Sequence, residues 1–287
     1  MECPRCHCTK LRKDGFSHNN IQHYKCLDCN HHFEEPIQNT ARILIFDIEN
    51  APVEVYAWNK RLWNANITQD QMIKDWYMLT FCAKWLNDSE IYKESLAPKE
   101  SKQRNDTRII KKLWKLFDRA DVVVAHNAFK FDIPMTNTRF ITLGLPPPSP
   151  YRVVDTLKVA KKIGSFTYNH LDYLGKVLGL GRKKDTNFKL WIDCVAGDKE
   201  ALKTMLDYNE QDVLLLEEVY LKFRGWTTSH PNMNMFQKEK GCSHCGSLNL
   251  KLKGYYTTQT AKYKSYRCLN CGGYSRETKK TFISTAR

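Results

Sequence analysis

Residues 43–50 read ILIFDIEN, an apolar run that ends in two carboxylates, Asp47 and Glu49. The β-branched and aromatic residues predict a strand, in which side chains two residues apart point to the same face. Like charges held this close repel each other unless water or a cation neutralises them. A divalent metal ion is one explanation, because hard cations take oxygen ligands. A solvated strand end before a turn at 50–52 is the other.

The segments after this strand predict a mixed α/β sheet. Residues 77–86 and 90–97 have the composition of two further strands joined by a turn, and 121–125 is a short β-branched run typical of a buried parallel strand. Apolar residues recur at helical spacing in 106–120, and a long helix is predicted over 198–223. Connections this short between strands and helices lead us to expect helices on both faces of the sheet.

The composition is that of a globular chain of 287 residues, which has room for one sizeable core and small appendages. No apolar run approaches the ~20 residues that a membrane span requires, so no membrane partner is expected. The first residues, MECPRCHC, contain no apolar signal segment. We therefore expect an intracellular, cytoplasmic location rather than export.

Eight of the eleven cysteines form four C-x-x-C pairs near the two ends of the chain. A spacer of nineteen residues joins the N-terminal pairs and one of twenty-two joins the C-terminal pairs. This spacing predicts two four-cysteine structural zinc sites, against the alternatives of redox dithiols or free thiols. His7 and Cys8 follow Cys6 directly and are alternative ligands. The predicted ligands are Cys3, Cys6, Cys26 and Cys29 in one site and Cys242, Cys245, Cys268 and Cys271 in the other.

The positive charge is concentrated at the C-terminal end. The chain has 45 basic and 31 acidic residues, a net charge of +14, and residues 238–287 contribute 11 basic minus 2 acidic, or +9. Basic groups interleaved with aromatic rings are typical of surfaces that bind single-stranded nucleic acid. A ribbon that docks on a partner protein is the alternative. The predicted nucleic-acid contacts here are Lys251, Lys253, Tyr255, Lys262, Lys264 and Arg267.

Five further residues, in three segments of the central region, suit a ligand site. His126 and Asn127 directly follow a predicted buried strand, and the carboxyl ends of strands are where open α/β sheets bind ligands. Asp132 begins a predicted helix, where a helix cap is a sufficient alternative. Asp212 falls near the buried edge of the long helix and shares a face with Tyr208, four residues earlier.

At this point the chain resembles a known family. FDIE at 46–49, HNAFKFD at 126–132 and YNEQD at 208–212 are similar, in order and spacing, to the three exonuclease motifs of the DEDD (DnaQ-like) 3′–5′ exonucleases. The likeness covers roughly 40–225 and implies a ribonuclease H-like α/β fold. Tyr208 resembles the tyrosine-type branch, since the histidine branch would need a histidine at Asp207.

The resemblance implies a role for each matching residue. Asp47, Glu49, Asp132 and Asp212 would hold two Mg²⁺ or Mn²⁺ ions, and Tyr208 would orient the attacking water. Asn50 stands where a threonine is common, so its contact with the terminal nucleotide would differ. His126 and Asn127 are also predicted to contact the nucleic acid. Asp155 resembles an auxiliary carboxylate of relatives, and a helix cap is the alternative.

Together these observations predict a two-metal 3′–5′ exonuclease that shortens single-stranded nucleic acid, with DNA favoured over RNA. A catalytically silent nucleic-acid-binding adaptor and a structure-specific endonuclease are the alternatives. The expected units are an N-terminal zinc ribbon at 1–36, a nuclease domain at 40–226, a linker at 227–240 and a basic C-terminal zinc ribbon at 241–287. The N-terminal ribbon resembles those of transposase-type and transcription-related proteins, so it could also bind a protein partner.

Overall fold

The fold is that of a computed structural model, which describes residues 3, 5, 6, 8–16, 22–34, 41–58, 66–181 and 186–284. The helices of this part of the chain, numbered in order, are α1 (Pro98–Lys102), α2 (Thr107–Phe117), α3 (Asp132–Thr142), α4 (Thr156–Ile163), α5 (Leu171–Val177), α6 (Phe188–Val195) and α7 (Lys199–Arg224). The strands are β1 (Leu11–Phe16), β2 (Gln22–Cys26), β3 (His32–Glu34), β4 (Ile43–Asn50), β5 (Glu54–Val55), β6 (Met72–Lys74), β7 (Met78–Trp85), β8 (Ile91–Ser95), β9 (Val122–Ala125), β10 (Arg152–Asp155), β11 (Leu250–Thr257), β12 (Ala261–Cys268), β13 (Tyr274–Arg276) and β14 (Phe282–Ile283).

The central sheet has five strands in the order β10-β9-β4-β7-β8. Strand β4 lies in the middle, parallel to β9 and antiparallel to β7, and β9 is parallel to β10. Because β4, β9 and β10 run the same way, their carboxyl ends meet at one edge of the sheet. Asp47 and Glu49 on β4 lie at this carboxyl edge, and Asp132 follows β9 there by a short loop.

Two hydrophobic layers cover the two faces of the sheet, as expected for an α/β fold. The α2 face packs against α2, α3, α6 and the first turns of α7, and the α4 face packs against α4, α5 and the rest of α7. Phe117 of α2 centres the first layer, with edge-to-face contacts to Phe46, Phe140 and Tyr151 at centroid distances of 4.9, 5.6 and 5.4 Å. Such pairs each add about 0.5–1.5 kcal/mol beyond burial.

The alternation of side chains on β4 decides which way the carboxylates point. Leu44, Phe46 and Ile48 pack on the α2 face, whereas Ile43 and Ile45 pack on the α4 face. Asp47 and Glu49 have the same parity as Ile43 and Ile45, so they project on the α4 face, where α7 passes. An ion pair of 2.6 Å between Lys84 of β7 and Glu217 of α7 ties this helix to the sheet.

The two four-cysteine segments each form a small antiparallel sheet. Strands β1, β2 and β3 make the N-terminal sheet, and β11, β12 and β13 make the C-terminal sheet, in which β14 also pairs with β12. His7, an alternative ligand, lies outside the described residues. All eleven cysteines are described, and none of them forms a disulfide.

The C-terminal sheet is attached to the end of α7 through ordered contacts. The segment predicted as a linker, 227–240, includes a 3₁₀ turn at Met233–Phe236, and the side chain of Met233 is buried in the α4-face core. Its amide donates to the carbonyl oxygen of Ser243 at 2.9 Å. A Cβ added to Gly225 would collide with the carbonyl oxygen of Cys271, so the backbones approach closely there.

The predicted fold class is confirmed: a mixed sheet carries helices on both faces, and the four-cysteine clusters lie at the two ends. The predicted strands at 77–86 and 90–97 correspond to β7 and β8, and the helix expected at 198–223 is α7. The short pair β5 and β6 was not predicted, because two- and three-residue strands carry no periodic signal. Among the described helices, none combines the length and apolar character of a membrane span.

Candidate functional site

The central feature of the site is a cluster of three carboxylates. One ligand oxygen from each of Asp47, Glu49 and Asp212 lies within 4.8 Å of the others. Asp47 and Glu49 come from the end of β4 and are half-buried, and Asp212 comes from the middle of α7 and is 2% exposed. Strand and helix thus bring together residues that are 165 positions apart in the chain (212 minus 47).

Asp132 lies beside this cluster but outside the 4.8 Å group. It is the first residue of α3 and is only 1% exposed, and its Oδ2 atom has no hydrogen-bond partner. Burial raises the pKa of Asp132 well above its usual value, and the negative charge of Asp47 raises it further. No side chain caps α3, so the helix-cap alternative for Asp132 is not what the structure has.

A buried ion pair fixes the orientation of α3 about its own axis. Arg139 donates Nε and an Nη hydrogen to the two carboxylate oxygens of Asp106, at 2.7 and 2.6 Å. Asp106 is fully buried and also accepts from the amide of Met78 at the start of β7. Asp132 and Arg139 are seven residues apart, two helical turns, and therefore share a face of α3. The ion pair consequently fixes the direction in which Asp132 enters the site.

Asp155 organises the loop between β9 and α3. Its carboxylate caps α4 by accepting from the amides of Leu157 and Lys158 at 3.0 and 3.2 Å. It also accepts from the amides of Asn127 and Phe129, at 3.1 and 3.3 Å. Asn127 has a φ of 72°, a left-handed conformation that asparagine tolerates well. The side chain of Asp155 thus serves as the predicted cap and holds the turn that leads to Asp132.

His126 is bound on both sides by protein groups. Its Nε2 lies 2.9 Å from the carbonyl oxygen of Asn169, and Nδ1 lies 2.9 Å from Oγ1 of Thr156. Because a carbonyl only accepts, Nε2 must donate. The Thr156 hydroxyl that contacts Nδ1 also lies 3.3 Å from the carbonyl oxygen of Ala125, a second acceptor. The histidine therefore joins the end of β9 to α4, and its contact with nucleic acid stays a prediction.

Helix α7 contributes two neighbouring groups to the cluster. Asn209 is fully buried, and its Nδ2 donates to Oδ2 of Asp47 at 2.6 Å. Tyr208 is half-buried and meets the indole of Trp191 edge to face at 6.5 Å between ring centroids. The predicted pairing of Tyr208 with Asp212 on one helix thus places the phenol ring against α6. Nothing in the sequence pattern singled out Asn209 or Trp191, since a buried amide and a partly buried indole are ordinary core residues.

A cavity of about 380 Å³ opens beside the end of β4. Asn50 forms part of its wall, and neither amide atom of Asn50 has a hydrogen-bond partner although both are buried from water. Unpartnered buried amides are costly unless a ligand or water satisfies them. The cavity is thus an indication of a bound group next to the carboxylates. Its lining residues are Asn50, Pro52, Thr186, Asn187, Phe188 and Trp191.

The donor set at the carboxylates fits a hard divalent cation. The oxygens of Asp47, Glu49 and Asp212 converge from two elements, and Asp132 supplies a buried carboxylate oxygen without a hydrogen-bond partner nearby. Such oxygen-only sets suit Mg²⁺ or Mn²⁺ rather than soft metals. The acidic residues of this site are therefore able to bind a metal ion.

The two cysteine clusters fit a tetrahedral metal. Tetrahedral zinc with bonds of ~2.3 Å places its sulfurs about 3.8 Å apart. The sulfur pairs Cys3–Cys29 and Cys6–Cys26 lie 3.6 and 3.5 Å apart. The pairs Cys242–Cys271 and Cys245–Cys268 both lie 3.6 Å apart. Both clusters are thus at distances compatible with zinc ribbons.

Crowding of the four sulfurs favours a thiolate in each cluster. A hydrogen bond from Cys245 lowers the pKa of Cys242 to about 2, and the same contact raises the pKa of Cys245. In the N-terminal cluster the backbone N–H of Cys29 lowers the pKa of Cys26 to about 6. The thiolate is the form that binds metal, so these hydrogen bonds favour the metal-binding form of Cys242 and Cys26.

The C-terminal sheet divides its basic and aromatic residues between two faces. Paired residues on adjacent strands share a face, so Tyr255 lies with Lys264 on one side and Lys251 lies with Arg267 on the other. All of the predicted nucleic-acid contacts on β11 and β12 are exposed: Lys251, Lys253, Tyr255, Lys262, Lys264 and Arg267. Both faces thus offer positive charge to a polyanion.

One cationic group of this sheet was missed at the level of sequence. The guanidinium of Arg276 on β13 lies over the rings of Tyr256 and Tyr263, at 5.0 and 4.2 Å from their centroids. The register of β12 with β13 puts Arg276 opposite Ser265, on the face of Tyr263. The pairing of strands creates this stack, so a linear reading of the chain gives no signal for it.

A comparison with a family model supports the fold. A family model described as "RNase_H superfamily" matches residues 73–224, which is more than half of the chain and includes Asp132, Tyr208 and Asp212 but begins after β4. The chain is also similar to the family B DNA polymerase of the hyperthermophilic archaeon Pyrobaculum calidifontis, at 17% identity and a TM-score of 0.47. This alignment covers 74% of the present chain and 28% of the polymerase, so the chain spans little more than a quarter of the polymerase's length. No curated protein matches the sequence.

The family match covers most of the strands and helices described above and two of the four carboxylates, Asp132 and Asp212. It runs from β6 to the end of α7 and therefore contains most of the central sheet with the helices of both faces. The chain belongs to the RNase H superfamily.

Proposed function

We propose that the protein is a metal-dependent 3′–5′ exonuclease of the DEDD type, tyrosine branch, acting on single-stranded nucleic acid, with DNA favoured over RNA. The observation that carries the proposal is the convergence of the Asp47, Glu49 and Asp212 oxygens within 4.8 Å at the carboxyl edge of an RNase H-like sheet. The buried carboxylate of Asp132 beside them completes the set of four.

In this proposal the four carboxylates hold two divalent ions, Mg²⁺ or Mn²⁺. When bound, such ions supply a nucleophilic water and stabilise the leaving oxygen of an in-line displacement at phosphorus. The chain's own groups do the positioning. Asn209 donates to Asp47 and fixes the orientation of that carboxylate, and Tyr208, one turn before Asp212, orients the attacking water.

The terminal nucleotide binds in the cavity beside Asn50. The amide of Asn50 offers a donor and an acceptor that have no protein partner, and the exposed ring of Phe188 and the indole of Trp191 offer surfaces for a base or sugar. A nucleotide with its base unstacked fits a cavity of about 380 Å³. His126 and Asn127 lie on the other side of the carboxylates, at the end of β9.

Zinc is the proposed ion of both cysteine clusters, where it replaces a hydrophobic core that segments of this length lack. The units are a ribbon at 1–36, the nuclease at 40–226, a connecting segment at 227–240 and a basic ribbon at 241–287. The C-terminal ribbon, with its exposed lysines, delivers single-stranded nucleic acid to the nuclease. The N-terminal ribbon is available to a second partner.

The test uses single strands labelled at the 5′ end, as DNA and as RNA, with Mg²⁺ or Mn²⁺, and compares the wild type with Asp47→Ala. A ladder that shortens from the 3′ end and is lost in the variant is the expected result. Internal cleavage lost in the variant would replace the exonuclease by an endonuclease. Tight binding without cleavage by the wild type would mean a silent adaptor.

A further inference from the structure

A second cavity, of about 350 Å³, lies at the β10 edge of the central sheet and is lined by residues of β10 and α4. It runs along the outer side of α4, from the loop after β9 to the residues that follow α7. Its size falls in the range of about 300–1,000 Å³ that is typical of ligand pockets. The lining residues are Phe129, Val153, Val154, Asp155, Lys158, Val159, Lys162, Ile163, Thr227, Thr228 and Ser229.

The charge of this cavity is positive. Lys158 and Lys162 are four residues apart on α4, so both ammonium groups lie on the same side of the helix, and both are exposed. The acidic residue in the wall, Asp155, is 3% exposed, and its oxygens accept from four backbone amides. Its charge is thus directed into the protein, while the two lysines face the open side.

An aromatic ring stands at the end of the cavity nearest to the carboxylates. Phe129 is 46% exposed, and the Nζ atom of Lys158 lies 4.0 Å from the centroid of its ring. At the far end, Thr228 and Ser229 are exposed and precede the C-terminal ribbon. Lysines for phosphates, a ring for a base and hydroxyls for a sugar-phosphate chain form the combination that binds single strands.

The strand order gives this cavity a position in the substrate path. Along the carboxyl edge, β10 carries the α4 cavity, β9 leads to Asp132, and β4 carries Asp47, Glu49 and then Asn50. A single nucleic-acid strand whose 3′-terminal nucleotide lies beside Asn50 has its last phosphodiester at the carboxylates. The part of that strand on the 5′ side then runs toward β10. The nucleotides on the 5′ side of the cleaved bond consequently enter the α4 cavity.

We propose that the cavity formed by Phe129, Lys158, Lys162 and the 227–229 segment binds the two or so nucleotides on the 5′ side of the cleaved bond and guides the strand toward the C-terminal ribbon. This inference rests on the proposed exonuclease function for the direction of the strand. The eight residues of α4 span about 12 Å, a length that suits a segment of that size.

The test measures binding in a form that does not depend on turnover. In the Asp47→Ala background, anisotropy titrations compare single strands of two and of eight nucleotides for three proteins: the parent, Lys158→Gln/Lys162→Gln and Lys111→Gln/Lys115→Gln. The last pair is the matched control, since Lys111 and Lys115 are exposed, four residues apart, and lie on α2 at the opposite face of the sheet.

We expect the α4 pair to weaken binding of the octanucleotide about tenfold and to reduce its salt slope by about 1.4, the value for two lost phosphate contacts on a single strand. The dinucleotide, whose single phosphodiester lies at the carboxylates, places no phosphate against Lys158 or Lys162 and should lose less than twofold. The control pair should lose less than twofold for both strands. Equal losses for the α4 and α2 pairs would overturn the proposal, because they would show a general charge effect.

Photo-crosslinking tests the position of the strand independently of the lysines. A 4-thiothymidine placed second or third from the 3′ end should crosslink to the peptide that contains Phe129 or to α4, and Phe129→Ala should weaken octanucleotide binding about tenfold. Crosslinks from these positions to other parts of the protein would overturn the proposal even if the exonuclease ladder were observed. Crosslinks at α4 without a ladder would leave the cavity as a strand-binding site and refute the nuclease alone.

Discussion

Helix α7 supports two candidate metal sites that gather their ligand residues in different ways. Asp212 in the middle of the helix joins Asp47 and Glu49 from a strand far away in the chain, whereas the C-terminal cysteines come from two knuckles and pack against the helix end at Gly225. The four cysteine sulfurs lie within 4.8 Å of one another, enough ligands to complete a tetrahedral site, so that set is closed. The carboxylates, if each contributes one oxygen, supply fewer ligands than the six of an octahedral ion, so that set is open to further ligands. Closed sets are typical of structural metals and open ones of catalytic metals.

The C-terminal cysteine cluster and the carboxylate cluster also differ in the groups that surround them. The C-terminal cluster is held by Tyr220, whose hydroxyl lies 2.8 Å from Nε2 of His230, and by the ring of His230, which lies 6.2 Å from that of His244. The carboxylate cluster instead holds like charges that only a cation or protons can neutralise. One region therefore stabilises the end of α7, and the other is arranged at a cost in stability for a ligand.

The largest expected effect is a loss of nuclease activity when the carboxylate cluster is changed, with no loss of zinc from the cysteine clusters. Asp212→Asn should lower the nuclease rate at least about 10³-fold, because a neutral amide is a poor ligand for a hard cation in a site that depends on charge stabilisation. The zinc content, measured by mass spectrometry, should stay at two per chain. Glu218→Gln, an exposed change on the same helix, is the control and should keep full activity. If Asp212→Asn kept more than a tenth of the wild-type rate, the assignment of the carboxylate cluster as the catalytic region would be contradicted.

A second effect concerns the hydrogen bond that orients Asp47 in the carboxylate cluster. Asn209→Ala removes the donor that lies 2.6 Å from Asp47 and should lower activity or metal affinity about 10–100-fold, as losses behind metal ligands commonly do. The expected readout is a higher Mn²⁺ concentration for half-maximal activity. Gln211→Ala, two residues further along α7, is the control. An unchanged metal requirement in Asn209→Ala would mean that this hydrogen bond serves packing only.

The stability of the region around the C-terminal cysteines should depend on pH through His230. Burial lowers the pKa of His230 from 6.5 to about 4, so the folded protein holds the ring neutral while the unfolded chain protonates it. Its contribution to stability is present above pH 6.5 and is lost as the pH falls toward 4. Between pH 7.5 and pH 5 the free energy of unfolding of the wild type should fall by about 2 kcal/mol more than that of His230→Gln. Parallel pH profiles would contradict this assignment.

The smallest expected effect compares the two cysteine clusters with each other. Cys271→Ser and Cys29→Ser should each lower the zinc content from two to one. Only Cys271→Ser should speed amide hydrogen exchange in the last turn of α7, by about fivefold for a loss near 1 kcal/mol, because that cluster packs on Gly225. Equal exchange in both variants would mean that the docking contacts do not stabilise the helix.

The same contrast explains how much the sequence alone could predict. Cysteine ligands are paired within a few residues, so both clusters were predicted from spacing, and β4, β7, β8, β9 and α7 from their apolar patterns. Asp47 and Glu49 were singled out by their place at the end of a strand, and Asp212 by its place on the helix. Their grouping into one site with Asp132 came from the motif resemblance, since Asp47 and Asp212 meet only in the folded chain. Asn209, Arg276 and the cavity along α4 gave no signal, because each depends on which elements lie side by side.

The most direct test of the account is anomalous diffraction from crystals grown with Mn²⁺ and a single strand whose last phosphodiester is a phosphorothioate. We expect zinc peaks within both cysteine clusters and manganese peaks among Asp47, Glu49, Asp132 and Asp212, with the terminal phosphorothioate at the manganese and the preceding nucleotides along α4. Manganese absent from the carboxylates, or a strand whose 3′ end lies elsewhere, would contradict the central claim that this cluster is the hydrolytic site.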